Sequence, residues 1–119
     1  FTNNGTFQNN GDAVFNGKVS NTEKATMIIN NLSLEGYSTL TVGKNAVFDN
    51  QGTIDLKIGR SVMVNNGTFT NSGEISGDGP LNNNGTAANN GTWKNSKITN
   101  SAKATFTNNA GHHSCEIGK

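Results

Sequence analysis

Apolar and polar residues alternate along this chain, and the alternation breaks every few residues at an Asn-x-Gly. Ile54, Leu56 and Ile58 fall on one side of such a run, with Asp55 and Lys57 on the other. Leu40 and Val42 alternate with Thr39 and Thr41, and Ala25, Met27 and Ile29 repeat the pattern, as do Ala104 and Phe106. A period of two predicts strands with one buried face, whereas an amphipathic helix would show i, i+3, i+4 spacing. The strands are short, about three to five residues between turns, too short to be stable as isolated hairpins.

The breaks are themselves a repeat. Asn3-Asn4-Gly5-Thr6-Phe7, Asn50-Gln51-Gly52-Thr53-Ile54, Asn65-Asn66-Gly67-Thr68-Phe69, Asn83-Asn84-Gly85-Thr86-Ala87 and Asn89-Asn90-Gly91-Thr92-Trp93 follow one pattern. Several copies come in close pairs, Asn3 with Asn9, Asn65 with Asn71 and Asn83 with Asn89. A second element precedes the turn: Gly43–Asn50 resembles Gly59–Asn66 and Ser101–Asn108, and Asn21–Met27 is a looser copy of Asn100–Phe106. Units spaced by about 15 to 25 residues indicate a solenoid or array. Asn-Gly also favours hairpins, but like units in series favour stacking like on like. The expected fold is all-β: a parallel β-solenoid, a β-helix of short strands joined by Asn-Gly turns. Equivalent asparagines would form amide ladders, and glycine would supply a left-handed corner. That predicts roughly five to eight coils, a rod roughly 25–40 Å long. The solenoid is expected over residues 1–111, with a polar tail over 112–119.

Composition fits this picture. Apolar residues make up 31% of the chain, little for a globular core, but charged residues make up only 14% and the net charge is +1, unlike a disordered segment. The sequence instead holds 22 Asn, 15 Gly and 14 Thr, a mixture suited to turns and strands and poor for helices. The nine Lys and Arg are scattered, which argues against nucleic-acid binding. No stretch reaches the roughly 20 apolar residues of a membrane-spanning helix. The chain opens on Phe1, as a mature or excised piece of a longer protein would.

Runs such as Asn65-Asn66-Gly67-Thr68-Phe69-Thr70-Asn71-Ser72-Gly73-Glu74-Ile75-Ser76-Gly77 resemble the degenerate repeats of bacterial autotransporter passengers and haemagglutinin-type adhesins. That resemblance covers most of residues 1–110 and implies a right-handed β-helix on the outer surface of a cell. It also implies a secreted, extracellular location and a structural or adhesive role without an enzyme's catalysis. Expected partners are further repeats or copies stacked end to end, and surface glycans. No cofactor is expected.

Candidate chemistry is sparse. His112, His113 and Cys115, with Glu116, form the one compact ligand-type cluster, but their spacing matches no zinc pattern, and a polar tail is the simpler reading. Asp49 and Asp55 could approach each other on one coil as a carboxylate pair for polysaccharide hydrolysis; solvated positions explain them equally well. No Gly-x-Ser-x-Gly nucleophile motif is present, so no catalytic residue is assigned. Ser76-Gly77-Asp78-Gly79-Pro80 reads as a turn before it reads as a Ca²⁺ loop. Asn4, Asn31, Asn66, Asn84 and Asn90 match the N-glycosylation pattern, which an Asn-Gly-Thr repeat produces automatically. Tyr37 and Trp93 are candidates for stacking on sugars, but Trp93 takes the place of Phe7 and Phe69 in the repeat and is expected in the core. A glycan- or ice-binding module is the alternative function, and it needs a flat Thr or Asn array. The Asn-Gly-Thr copies at 4, 66, 84 and 90 are too unevenly spaced in sequence to form one. A polysaccharide-processing enzyme of the phage-tailspike kind is the second alternative.

Overall fold

The structure, a computed structural model, describes residues 1–56, 60–94 and 96–109, and the backbone of two short strands at 113–114 and 117–118. Each coil leaves one strand on a first face and then runs across two more. The first coil carries β1 (Thr2–Asn3) and the long β2 (Thr6–Phe15); the second, β3 (Lys18–Asn21) and β4 (Thr26–Leu34); the third, β5 (Thr39–Val42) and β6 (Val47–Leu56). In the fourth coil the long strand is divided, giving β7 (Val62–Asn65), β8 (Thr68–Asn71) and β9 (Glu74–Gly77). The fifth repeats this with β10 (Leu81–Asn83), β11 (Thr86–Asn89) and β12 (Thr92–Lys94). Then follow β13 (Ile98–Asn100), β14 (Thr105–Asn108), β15 (His113–Ser114) and β16 (Ile117–Gly118).

Every strand pairing is parallel, between one coil and the next, so the chain is an all-β parallel solenoid of about five turns. The first face is the sheet β1-β3-β5-β7-β10-β13-β16. The second face joins the first halves of β2, β4 and β6 to β8, β11 and β14, and the third joins their second halves to β9, β12 and β15. Beyond β14, β15 pairs with β12 and β16 with β13. The body measures 29 × 27 × 23 Å, about as wide as it is tall.

The period-two pattern puts one residue in two inside. Val19, Leu40, Met63, Leu81 and Ile98 line the first face from within, and Leu32, Ile54, Ile75 and Trp93 the third, all buried. Ile58, expected to continue the Ile54–Leu56 alternation, lies outside the described residues. The second face stacks Phe7, Met27, Phe48, Phe69, Ala87 and Phe106 in one column. Phe48 and Phe69 lie parallel, their centroids 4.9 Å apart. Ala87 interrupts the aromatic run, and Trp93 makes good the loss. From the third face its indole packs 5.8 Å from Phe69 and 5.7 Å from Phe106, the two neighbours of Ala87 in the column. Trp93 is thus core as expected, but its register partner is Ile75, and Ala87 holds the position equivalent to Phe69. Among the described residues its buried Nε1–H has no partner, which is the cost of using an indole as filler.

The close asparagine pairs are two corners of one coil on either side of the second face. At the first corner Asn3 Nδ2 donates to Asn21 Oδ1 (2.9 Å), Asn65 to Asn83 (2.8 Å) and Asn83 to Asn100 (2.9 Å). At the second, Asn50 donates to Asn71 (2.7 Å), Asn71 to Asn89 (2.8 Å) and Asn89 to Asn108 (3.0 Å). The amides also reach the backbone of the following coil, as Asn65 does to Thr86 O (2.9 Å) and Asn71 to Thr92 O (2.9 Å). Most of these side chains are fully buried, and each such bond adds about 0.5–1.5 kcal/mol net. The ladders break where Val42 and Ile29 take the asparagine position in the register. A third corner is held by buried serines: Ser61 Oγ donates to Leu34 O (2.9 Å), and Ser38 Oγ accepts from Gly17 N (2.9 Å).

Two expectations about the corners are corrected. Glycine is not there for a left-handed φ, since the Asn-x-Gly glycines do not have one. It is there because the preceding coil lies directly over it. A Cβ at Gly52 would run into the carbonyl oxygen of Asn30, at Gly67 that of Ala46, at Gly73 that of Gly52, at Gly85 that of Gly67 and at Gly91 that of Gly73, all closer than 3.0 Å. Left-handed φ occurs instead in the longer corner Thr22-Glu23-Lys24-Ala25, at Lys24 (66°), and in Gly43-Lys44-Asn45-Ala46, at Asn45 (62°). Both are closed by a 3.0 Å bond from the alanine N–H, as is Ser101–Ala104. These three corners are equivalent. Gly59–Asn66 is not their equivalent, because Val62 pairs with Thr39 on the first face while Val47 pairs with Thr68 on the second.

Close approach predicts that Gly73→Ala destabilises the chain by about 1–3 kcal/mol or more in urea denaturation, while Gly5→Ala, with nothing within 4 Å of the added carbon, stays within about 0.5 kcal/mol. The shared space at the fifth coil predicts that Ala87→Phe and Trp93→Ala are each destabilising, Trp93→Ala by about 3–5 kcal/mol. The double variant should recover part of the loss, with a coupling energy of about 0.5–3 kcal/mol in a double-mutant cycle.

Candidate functional site

Outward positions on the second face form the most regular surface of the molecule. The residue after each corner points out, and in successive coils it is Thr6, Thr26, Val47, Thr68, Thr86 and Thr105, one column in unbroken register. Valine has the shape of threonine, so every rung carries the same β-branched outline, about 4.8 Å from the next. The adjacent outward column reads Gln8, Ile28, Asp49, Thr70, Ala88 and Thr107. From Thr68 onwards this face carries only threonine and alanine. Thr68, Thr86 and Thr105 are exposed, and Thr105 Oγ1 lies 3.5 Å from Thr86 Oγ1.

This column corrects the expectation that the threonines are too irregular to form an array. Coil length varies, with laddered asparagines 17 to 21 residues apart, but the difference is absorbed at corners and the strands return to register. Two kinds of corner hid the column. Thr26 and Thr105 follow the longer turn without Asn-Gly, and the Asn90-Gly91-Thr92 copy leads to the third face instead.

The third face holds a shallow concavity of about 380 Å³ around Asp12, Val14, Ser33, Glu35 and Asp55. Asp12 Oδ1 accepts from Asn31 Nδ2 at 2.9 Å. Asp49 and Asp55 are not brought together. Asp49 stands on the second face in register with Ile28 and Thr70, its Oδ2 accepting from Gln51 Nε2 (2.8 Å), whereas Asp55 stands on the third in register with Ser33 and Ser76. Their coil turns a corner between them, so they cannot act as a carboxylate pair in this arrangement.

Trp93 is fully buried and unavailable to a sugar. Tyr37 is 74% exposed, and the Arg60 guanidinium sits 4.8 Å from its ring centroid. Asn66 and Asn84, two of the N-glycosylation matches, bond to each other on the surface, Asn84 Nδ2 donating to Asn66 Oδ1 at 2.9 Å. Ser76 and Gly77 close strand β9, Gly77 at φ 106° and packed under Leu56 O, and the chain bends at Asp78. His112, Cys115 and Glu116 lie outside the described residues, and of His113 only the strand backbone is described. Among the described residues no three His, Cys, Asp or Glu side chains converge as metal ligands, and no helix is long and apolar enough to cross a membrane.

No protein family, no curated protein and no solved structure matches the chain.

The Val47 rung predicts that shape rather than hydroxyl chemistry maintains the threonine face. Thr68→Val, Thr86→Val and Thr105→Val together should leave the melting temperature within a few degrees of the parent, as read by circular dichroism.

Proposed function

We propose that this chain is a structural or adhesive segment of an extracellular bacterial surface protein or fibre, without catalysis of its own. The observation that carries the reading is where its polar side chains go: the inner asparagines are buried and bonded from coil to coil. Their role is to hold a stack together. A segment built this way gives length and a wide polar surface, since each coil needs only its neighbours for stability. The Asn-Gly-Thr resemblance to adhesin repeats supports the same role. Antibodies raised against the chain should label intact, unpermeabilised cells of the bacterium that makes it; labelling seen only after lysis would sink the surface assignment. Incubation with polysaccharides should release no reducing sugar, and release abolished by Asp55→Asn would instead favour the glycan-processing alternative.

The threonine column favours a second reading, a module that binds a flat, repetitive surface such as ice or a glycan crystal. Its β-branched outline is continuous across the coils, and its upper part carries no charge. If this reading holds, Thr68→Lys with Thr86→Lys removes ice recrystallisation inhibition or binding on a glycan array while the fold is kept. A parent chain with neither activity rules it out.

A further inference from the structure

Six asparagines in this chain are followed directly by glycine. Of these, Asn66, Asn84 and Asn90 each sit at a corner with one coil before it and one after it. They occupy the middle of Asn-x-Gly, where the side chain is exposed and takes no part in the buried ladders. An asparagine before glycine is open to a reaction of its own. The glycine nitrogen, unhindered by a Cβ, attacks the carboxamide carbon of the asparagine. A C–N bond forms, ammonia leaves with the proton from that nitrogen, and a cyclic imide results. Water then opens the ring at either carbonyl, leaving aspartate, or isoaspartate with the main chain running through the side-chain carbon.

Stacking opposes each requirement of this reaction. The nucleophile is occupied: Gly67 N donates to Asn65 Oδ1 (3.1 Å), Gly85 N to Asn83 Oδ1 (3.2 Å) and Gly91 N to Asn89 Oδ1 (3.3 Å). The backbone cannot turn the nitrogen towards the side chain, because its neighbours are bonded to the preceding coil. Asn66 N and Thr68 N donate to Val42 O (2.8 Å) and Ala46 O (2.9 Å), and Asn84 N and Thr86 N to Asn65 O (2.7 Å) and Gly67 O (2.9 Å). Asn90 N and Thr92 N donate likewise to Asn71 O (2.7 Å) and Gly73 O (2.8 Å). The carboxamides are also drawn away along the stack, Asn66 Oδ1 accepting from Asn84 Nδ2 (2.9 Å) and Asn90 Oδ1 from Asn109 Nδ2 (2.7 Å). Those outer pairs are exposed and readily exchanged for water, whereas the inner acceptors Asn65, Asn83 and Asn89 are fully buried. The inner asparagine is therefore the stronger guard.

We propose that Asn65, Asn83 and Asn89 each shield the exposed Asn-Gly bond beside them, so that Asn66, Asn84 and Asn90 are latent deamidation sites that react only when their coil opens. Reaction would make opening permanent. Isoaspartate lengthens the main chain at a corner where the preceding coil leaves no room even for a Cβ, so the coil cannot return to register. Loss of one coil exposes the next, and the life of the stack becomes a matter of rate. The inference stands independently of the surface-segment reading, since it concerns the chain wherever it is placed.

The 119-residue chain is held folded, or unfolded in guanidinium chloride, at one mildly alkaline pH and temperature, and its peptides are mapped by mass spectrometry. Conversion of Asn66, Asn84 and Asn90 to aspartate and isoaspartate should be at least about tenfold slower in the folded chain, because reaction follows the open population. Asn83→Ala, in chains that keep the parent's circular dichroism, should speed conversion of Asn84 more than that of Asn90. Asn89→Ala should do the reverse, and it supplies the same comparison if Asn83→Ala does not fold. Equal rates in the folded and unfolded parent overturn the inference. So does a rise of the same size at Asn84 and Asn90 in a folded variant, which would mean that the inner asparagine gives no local shielding.

Discussion

Everything in this molecule follows from the short distance between stacked backbones at the corners. Parallel strands in register stand about 4.8 Å apart, and where a coil bends, the carbonyl of the coil before it comes down on the bend. There is no room for a Cβ there, so glycine recurs at Gly52, Gly67, Gly73, Gly85 and Gly91. The same closeness places one asparagine amide directly over the next, at hydrogen-bonding distance from both its neighbour's side chain and its neighbour's backbone. A buried amide is costly when unpaired and favourable when fully paired. The buried asparagines of the ladders meet that condition, each serving as both donor and acceptor. Steric exclusion and amide pairing thus select Asn and Gly together, two residues apart.

What remains for the apolar residues is to fill a narrow channel, rung by rung. They do so without a fixed residue at a fixed place. The second-face column passes from phenylalanine through methionine to alanine, and the ladder positions pass from asparagine to valine or isoleucine at Val42 and Ile29. The outer faces are less constrained still. The threonine column is an exception that β-propensity explains in part, because a β-branched residue suits the first strand position after a tight corner.

Much of the fold was legible in the sequence because its two signals are local: alternation marks inward residues such as Ile54 and Leu56, and Asn-x-Gly marks the corners. Parallel stacking was legible too, because Phe48 and Phe69 recur in like surroundings and like stacks on like. Register was not. Whether Val62 aligns with Val47 or with Thr39 depends on how many residues each corner takes up, and the longer Thr22–Ala25 turn looks nothing like Asn65–Gly67 although both open onto the same face. That error hid the threonine column and misplaced Trp93. The separation of Asp49 from Asp55 was equally hidden, because a corner at Asn50–Gly52 rotates the second away from the first. The reason for glycine at the corners needed coordinates, since a residue's neighbour above cannot be read from the chain on either side of it.

The exchange between Ala87 and Trp93 has a consequence for how such coils diverge. What each storey must preserve is the cross-section of its filling, not the identity of any one side chain. Bulk lost from one wall can be returned from another, and the storeys above and below register no change. Successive turns can therefore drift apart in sequence, each along its own path, while the tower they compose keeps a constant bore.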